Sequence, residues 1–172
     1  MVYTKDELIS SMKNEARILR HLASKVTPEM LDYRPTPKQR STVELLQYLS
    51  MMGPVQLDLL KGGVFDMPTM QKVWTPAEAK ANEMSFDETL AAIDTLPDQY
   101  ADRLSSWTDA ELREEIEAFG NKGSRGAMTV NLVLCAHAAY RTQLFCYLKQ
   151  CGREELNTMN LWAGIDAPMT AA

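Results

Sequence analysis

One stretch near the C-terminal end of the chain concentrates residue types that bind metals or act as nucleophiles. The segment LCAHAAYRTQLFCYLKQCG, residues 134–152, contains His137, which is one of only two histidines, and all three cysteines. Imidazole nitrogens and thiolates both bind zinc, and a thiolate is also a strong nucleophile. The segment therefore indicates either a metal or nucleophile site, or a set of side chains that only pack in a core.

The spacing of these residues argues against both kinds of chemistry. A zinc site needs about three converging ligands, and helical ligand pairs lie three or four residues apart. His137 has no second histidine at those spacings, and His21 lies opposite the apolar stripe of the predicted first helix, so it should face solvent. Cys146 and Cys151 lie near a predicted helix C-terminus, where the helix dipole disfavours a thiolate. We expect no metal ligands here, and we expect the cysteines to be buried structural thiols.

The tyrosines are better candidates for a binding site. On a helical wheel, Tyr140 shares one face of the segment with Val133, Ala136 and Leu144, and His137 lies at the edge of that face. Tyr48, in an earlier predicted helix, could reach the same interior. A buried phenol usually needs a hydrogen-bond partner. The candidate partners are Gln56, Gln143 and His137. Such a cluster is compatible with a small-molecule pocket or with a polar core whose groups satisfy one another.

The elements that must position these residues are predicted by caps and periodicity. Three hydroxyl residues, Thr4, Ser41 and Ser85, each precede a glutamate by three positions, which is the capping-box pattern of a helix start. We predict long helices over residues 5–26, 42–61, 86–105 and 128–152, a short helix over 108–119, and hardly any strand. The second helix should end at the Gly62–Gly63 pair, and Pro97 should interrupt the third. The fold class is therefore all-α, a four-helix bundle with long connections and a short extra helix.

Composition limits the possible partners. A chain of 172 residues predicts a single domain over 1–172, and its net charge of −5 argues against binding to nucleic acid or to anionic membranes. No apolar run reaches the length of about 18 residues that a membrane span needs. The N-terminal sequence does not resemble a signal peptide, and the odd number of cysteines fits no disulfide framework. We expect a cytoplasmic protein.

Three segments together resemble the DinB-like family of damage-inducible four-helix bundles, often described as metalloenzymes. They are LASKVTPEMLDYRPTPKQRSTVELLQYLS (22–50), HAAYRTQLFCYLKQCG (137–152) and NLWAGIDAP (160–168). The resemblance spans nearly the whole chain, and it implies a DinB-like bundle that forms a homodimer. Some relatives are thiol S-transferases or isomerases that use a divalent metal.

The resemblance also implies that the metal site of the family is degenerate in this chain. Matched residue by residue, the three histidine ligands of the family fall on Tyr48, Ala136 and Tyr140. A phenol is a poor zinc ligand at neutral pH, and alanine provides no ligand atom. We therefore expect no zinc, nickel or other metal cofactor.

Three functions remain open. The leading hypothesis is a protein that binds a small molecule or a partner through the former metal pocket. We expect the pocket to be lined by Tyr48, Tyr140, His137, Gln143, Gln56 and Ala136. The alternatives are a metal-dependent thiol S-transferase or hydrolase-type enzyme with unusual ligands, and a structural or regulatory dimer without a pocket.

Overall fold

The first two long helices begin at the residues that the caps predict. In the computed structural model, which describes residues 3–166, α1 spans Lys5–Ala23 and α2 spans Thr42–Gly62. The N–H of Thr4 donates to Glu7 and the N–H of Ser41 donates to Glu44, each at 2.7 Å, which completes a capping box at both helix starts. α1 ends three residues earlier than predicted. α2 continues through Pro54 and ends where Gly63 adopts a left-handed φ of 69°.

The predicted third helix is divided at its proline. α4 spans Phe86–Asp94, and α5 spans Leu96–Ser105 with Pro97 in its first turn. Proline has no N–H to donate to the preceding turn, so the hydrogen-bond ladder of α4 does not continue into α5. Both helices pack against α1 and α2, and together they form the third unit of the bundle.

The long connection predicted between the second and third helices contains a helix of its own. α3 spans Met67–Asn82 and begins where Asp66 accepts a hydrogen bond of 2.7 Å from the N–H of Thr69. It packs on the outside of α2. Met70, Val73, Trp74 and Ala77 pack against the core at helical spacing, but the stripe contains Pro76, a residue that argues against a helix interior.

The predicted short helix over 108–119 is only half helical. α6 spans Asp109–Arg113, and the chain then forms an antiparallel hairpin of β1, Glu115–Ala118, and β2, Asn121–Ser124. Ala118 pairs with Asn121, so the turn consists of Phe119 and Gly120, with φ values of 53° and 76°. Positive φ at both positions is typical of a type I′ hairpin turn.

The last unit of the bundle is a longer helical run than predicted. It comprises α7, Arg125–Thr129, a π-helical segment, Val130–Leu134, and α8, Cys135–Gln150. α8 packs against α1 and α2, and a second π-helical turn, Met159–Ala163, closes over α1 and α8. The apolar core lies between α1, α2, α4–α5 and α8. The all-α bundle prediction is therefore confirmed, with α3 and the hairpin as additions.

A buried ion pair ties α8 to α1. Arg141 Nε lies 2.9 Å from Glu15 Oε2, and their side chains are 7% and 14% exposed. Arg141 also donates to the carbonyl of Leu161 in the C-terminal π-helical turn. The core-facing side of α8 therefore carries a charged residue, which is stabilised because its partner and a carbonyl lie within reach.

Candidate functional site

His137 lies in the centre of the bundle and not at the edge of the core. Its side chain on α8 is hydrogen-bonded through Nε2 to the hydroxyl of Tyr100 on α5, and the two rings meet nearly perpendicularly at 5.7 Å. Burial, with a smaller effect from the nearby Arg141 charge, lowers the pKa of His137 to about 4. The imidazole is therefore neutral at neutral pH.

Gly53 of α2 makes room for this pair. A Cβ at that position would overlap the Tyr100 hydroxyl and would lie 2.8 Å from His137 Nε2. Helices α2, α5 and α8 therefore meet around one buried hydrogen bond, which we call the core pair (Tyr100 and His137). His137 Nδ1 has no hydrogen-bond partner within residues 3–166. Neither Tyr100 nor Gly53 was predicted from the sequence, because their contact joins two helices that are far apart in the chain.

Tyr48 and Tyr140 do come together, one turn away from the core pair along α8. Their ring centroids lie 5.0 Å apart, and Tyr48 also contacts Trp74 of α3 at 5.9 Å. The guanidinium of Arg40 lies over the Tyr48 ring, 3.9 Å from its centroid. Burial and the neighbouring Tyr140 raise the pKa of Tyr48, so its phenol is protonated at neutral pH. We call these four residues the aromatic region.

The other predicted pocket residues are divided between different environments. Gln143 donates to the hydroxyl of Tyr147, which in turn donates to the Arg40 carbonyl at 3.1 Å. Ala136 is half-buried at the edge of the core. His137 belongs to the core pair. The structure therefore brings Tyr48 and Tyr140 together, but it does not gather all six predicted residues around one space.

Gln56 lines a cavity of about 290 Å³ beside the aromatic region. The cavity lies between α2, α3, the hairpin turn and the π-helical segment that precedes α8, and Trp74 belongs to both its wall and the aromatic region. Gln56 Oε1 is buried and has no hydrogen-bond partner in the part of the chain that the structure describes. Of the described residues around this cavity, only Gln56 was predicted from the sequence as a pocket residue.

Two other expectations from the sequence are wrong. Cys135 and Cys146 are exposed and Cys151 is half-buried, so the three cysteines are not buried core thiols. His21 does not point into solvent, because its side chain is only 14% exposed and its Nε2 lies 3.1 Å from Asn160 Nδ2. The C-terminal segment folds back over α1, and no periodicity within α1 could have indicated that contact.

The comparisons with known proteins agree with this architecture. The family model described as "DinB family" matches residues 1–165. The chain belongs to the DinB family. No curated protein matches it.

Two crystal structures show the same fold. A DinB-like protein from Bacillus subtilis is 20% identical, with a TM-score of 0.65, and the match covers 88% of this chain and 95% of that one. A DinB-like protein from Bacillus cereus is 19% identical, with a TM-score of 0.67 and the same coverage of both chains. No helix within residues 3–166 is long and apolar enough to cross a membrane.

The residues on which the family resemblance places metal ligands do not fit a divalent metal. Tyr48 and Tyr140 are paired rings, the phenol of Tyr48 has a raised pKa, and Ala136 provides no ligand atom. Between residues 3 and 166, no three side chains of histidine, cysteine, aspartate or glutamate are grouped so that they could hold a metal ion. The absence of a metal cofactor remains a prediction, and only a measurement of bound metal tests it.

Proposed function

We propose that this DinB family protein binds a neutral organic molecule at the aromatic region without a metal. The observation that supports this most directly is the pair of packed tyrosine rings at two positions where the family resemblance implies metal ligands. A protonated phenol and an indole offer aromatic faces and hydrogen-bond groups, which suit an uncharged molecule better than a metal ion.

The charges around the aromatic region favour a neutral ligand. The positive charge of Arg40 lies over the Tyr48 ring, and its guanidinium also lies 3.7 Å from Glu78 Oε1. An anionic ligand would therefore compete with both of these contacts for the one guanidinium. A cationic ligand would meet Arg40 at the same place and would be repelled by it.

The alternative is a metal-dependent thiol S-transferase or hydrolase-type enzyme with unusual ligands. Such an enzyme needs a metal bound stoichiometrically to the chain, whereas the proposed binding protein needs none. Elemental analysis of protein without a histidine tag, after dialysis against excess nickel and zinc, separates the two. We expect well below one metal per chain, and about one metal per chain would overturn the proposal.

Ligand binding is tested in the presence of EDTA. We would screen a library of small neutral compounds by ligand-observed NMR, using the wild type and Tyr140→Leu, which removes the ring but keeps apolar bulk. Tyr33→Leu is the matched control, since Tyr33 is also half-buried and its ring packs at 5.4 Å on Tyr147, outside the aromatic region. We expect compounds that still bind in the presence of EDTA. Their affinity should fall about five-fold or more in Tyr140→Leu but not in Tyr33→Leu, because only the first variant loses an aromatic contact of the aromatic region.

The homodimer that the family resemblance implies is also a proposal. Phe145 and Leu134 on the last helical run are half-buried apolar residues that could contribute to such an interface. Sedimentation equilibrium of the full chain tests it, and a mass equal to one chain at every concentration would contradict it.

A further inference from the structure

The cavity beside the aromatic region has a size, a polarity and a wall that together define a ligand class. We propose that it binds a neutral two-ring aromatic molecule with one hydrogen-bond donor, and that Gln56 Oε1 accepts from that donor. This inference rests on the proposed function, because it specifies the class and the binding cavity of the neutral ligand proposed above.

The volume of the cavity sets the size of the ligand. An apolar cavity of about 150 Å³ holds benzene, and small-molecule pockets begin at about 300 Å³. The space here, about 290 Å³, is close to twice the volume that holds one ring. A two-ring molecule therefore fills it, whereas a single ring leaves part of the wall without contact.

The cavity wall determines the charge of the ligand. Among the described residues that line it, none is an aspartate, glutamate, lysine, arginine or histidine. Trp74, Phe65 and Phe119 contribute aromatic rings, and the last two pack edge to face at 5.8 Å. A charged ligand would lose its hydration without gaining a partner, so the wall selects a neutral aromatic molecule.

Among the described polar residues that line the cavity, Gln56 has a buried acceptor without a partner. Its Oε1 is buried, and no described residue donates to it. The described part of the free protein therefore leaves the acceptor unpaired. A ligand in the cavity that carries an N–H or O–H group supplies the missing hydrogen bond, whereas one without a donor leaves the acceptor buried and unpaired.

Phe119 provides a second, independent indication that this space is used. Among the described residues it is the only non-glycine with a positive φ, and its side chain is 61% exposed although it is large and apolar. Asparagine is the preferred residue at this position of a type I′ turn, and phenylalanine there is strained. At this cost the turn places an aromatic ring in the wall of the cavity, where it packs on Phe65 and remains largely exposed.

The test compares indole with indene, which has nearly the same shape but lacks the N–H. Binding of each to the full chain in EDTA is measured by NMR titration. We expect wild type to bind indole about ten-fold or more tightly than indene, because indene leaves Gln56 Oε1 unpaired. In Gln56→Met, which keeps the length of the side chain without the acceptor, the ratio should fall close to one. Gln71→Met is the matched control, since Gln71 lines the same cavity but is exposed, and it should keep the wild-type ratio.

A second variant tests whether the aromatic ring of Phe119 in the cavity wall contributes to binding. Phe119→Asn should weaken indole binding about five-fold or more through the loss of an aromatic contact, while its thermal midpoint rises because the turn strain is relieved. Unchanged indole affinity in this variant would remove Phe119 from the site and overturn the inference.

The remaining outcomes separate this inference from the proposed function. Equal affinity for indole and indene in the wild type, or a ratio that Gln56→Met leaves unchanged, overturns the inference alone. The inference alone also fails if neither indole nor indene binds while a compound from the screen binds in a way that depends on Tyr140. If no compound and neither probe binds in EDTA, the proposed function and this inference both fail.

Discussion

The core pair and the aromatic region both lie where α2 packs against α8, but their side chains have different roles. Gly53 and Tyr48 lie five residues apart on α2, and His137 and Tyr140 lie three apart on α8. At the core pair, the absence of a side chain on Gly53 lets two polar groups meet in a tightly packed interior. At the aromatic region, bulky rings meet beside a cavity of about 290 Å³.

The difference teaches that residue type alone does not indicate a site in this protein. His137 is the residue most typical of catalysis, yet its surroundings make it a buried structural group with a lowered pKa. Tyr48, Tyr140 and Gln56 are less typical of catalysis, yet Gln56 lines the cavity and the two tyrosines lie next to its wall residue Trp74. If this comparison is correct, changes at the core pair affect stability, whereas changes around the cavity affect binding.

The largest expected effect is that of Gly53→Ala. The added Cβ would overlap the Tyr100 hydroxyl and crowd His137 Nε2, so we expect the free energy of unfolding to fall by about 3 kcal/mol. Gly62→Ala is the matched control on the same helix, because a Cβ there meets no described atom within 4 Å. It should raise stability by about 0.5–1 kcal/mol. Urea unfolding measures both, and a loss below about 0.5 kcal/mol for Gly53→Ala would contradict the packing of the core pair.

Acid should destabilise the protein through His137. The unfolded histidine titrates near pH 6.5 but the folded one at about 4, so below pH 6.5 the unfolded state binds more protons. Stability is therefore complete above about pH 6.5 and is lost as the pH falls towards 4. Between pH 7.5 and pH 5 the loss should be about 2 kcal/mol.

Urea unfolding at a series of pH values measures this slope, with His137→Gln and His21→Gln compared. Burial lowers the pKa of His21 as well, but His21 is less buried, so its removal should change the slope less. A wild-type slope that persists in His137→Gln would show that the histidine of the core pair is not responsible.

The hairpin turn should become more stable when its aromatic residue is removed. Phe119→Asn places the preferred residue at a φ of 53°, so we expect a gain of about 1 kcal/mol in the free energy of unfolding. Gly120→Ala, at a φ of 76°, is the opposite control and should lose about 1 kcal/mol. A loss of stability in Phe119→Asn would mean that the ring supports the fold. Changes around the cavity would then affect stability as changes at the core pair do.

The smallest effect is expected at Arg40. Its contacts with the Tyr48 ring and with Glu78 are both partly exposed, so Arg40→Met should cost less than about 1 kcal/mol. A double-mutant cycle with Glu78→Gln separates the ion pair from the contact with the ring. A cost as large as that of Gly53→Ala would show that the aromatic region is a rigid part of the core.

The local rules of helix initiation made much of this fold predictable. Thr4, Ser41 and Ser85 each start a helix because a cap and its glutamate interact within four residues, independently of the rest of the chain. The end of α2 at Gly63 and the break at Pro97 are equally local. By contrast, α3 contains an internal proline and the hairpin has an ambiguous pattern, and their packing on α2 and α7 stabilises them.

The face that the last helical run turns to the core is only partly indicated by its periodicity. The wheel placed Val133 and Leu144 inside, and both are buried. It also placed Ala136 and Tyr140 inside, but these are half-buried. His137, which the wheel put at the edge of that face, and Arg141 are buried as well. They are buried because Tyr100 on α5 and Glu15 on α1 satisfy them.

The sequence by itself therefore determined the helical class, most helix starts, the DinB resemblance and the closeness of Tyr48 and Tyr140. Only the tertiary structure decided that His137 is a core residue, that Gln56 faces a cavity and that Phe119 stands at its wall. The physical reason is that caps and turns act between neighbours in the chain. Burial, hydrogen-bond pairing and the shape of a cavity depend on residues from several helices at once.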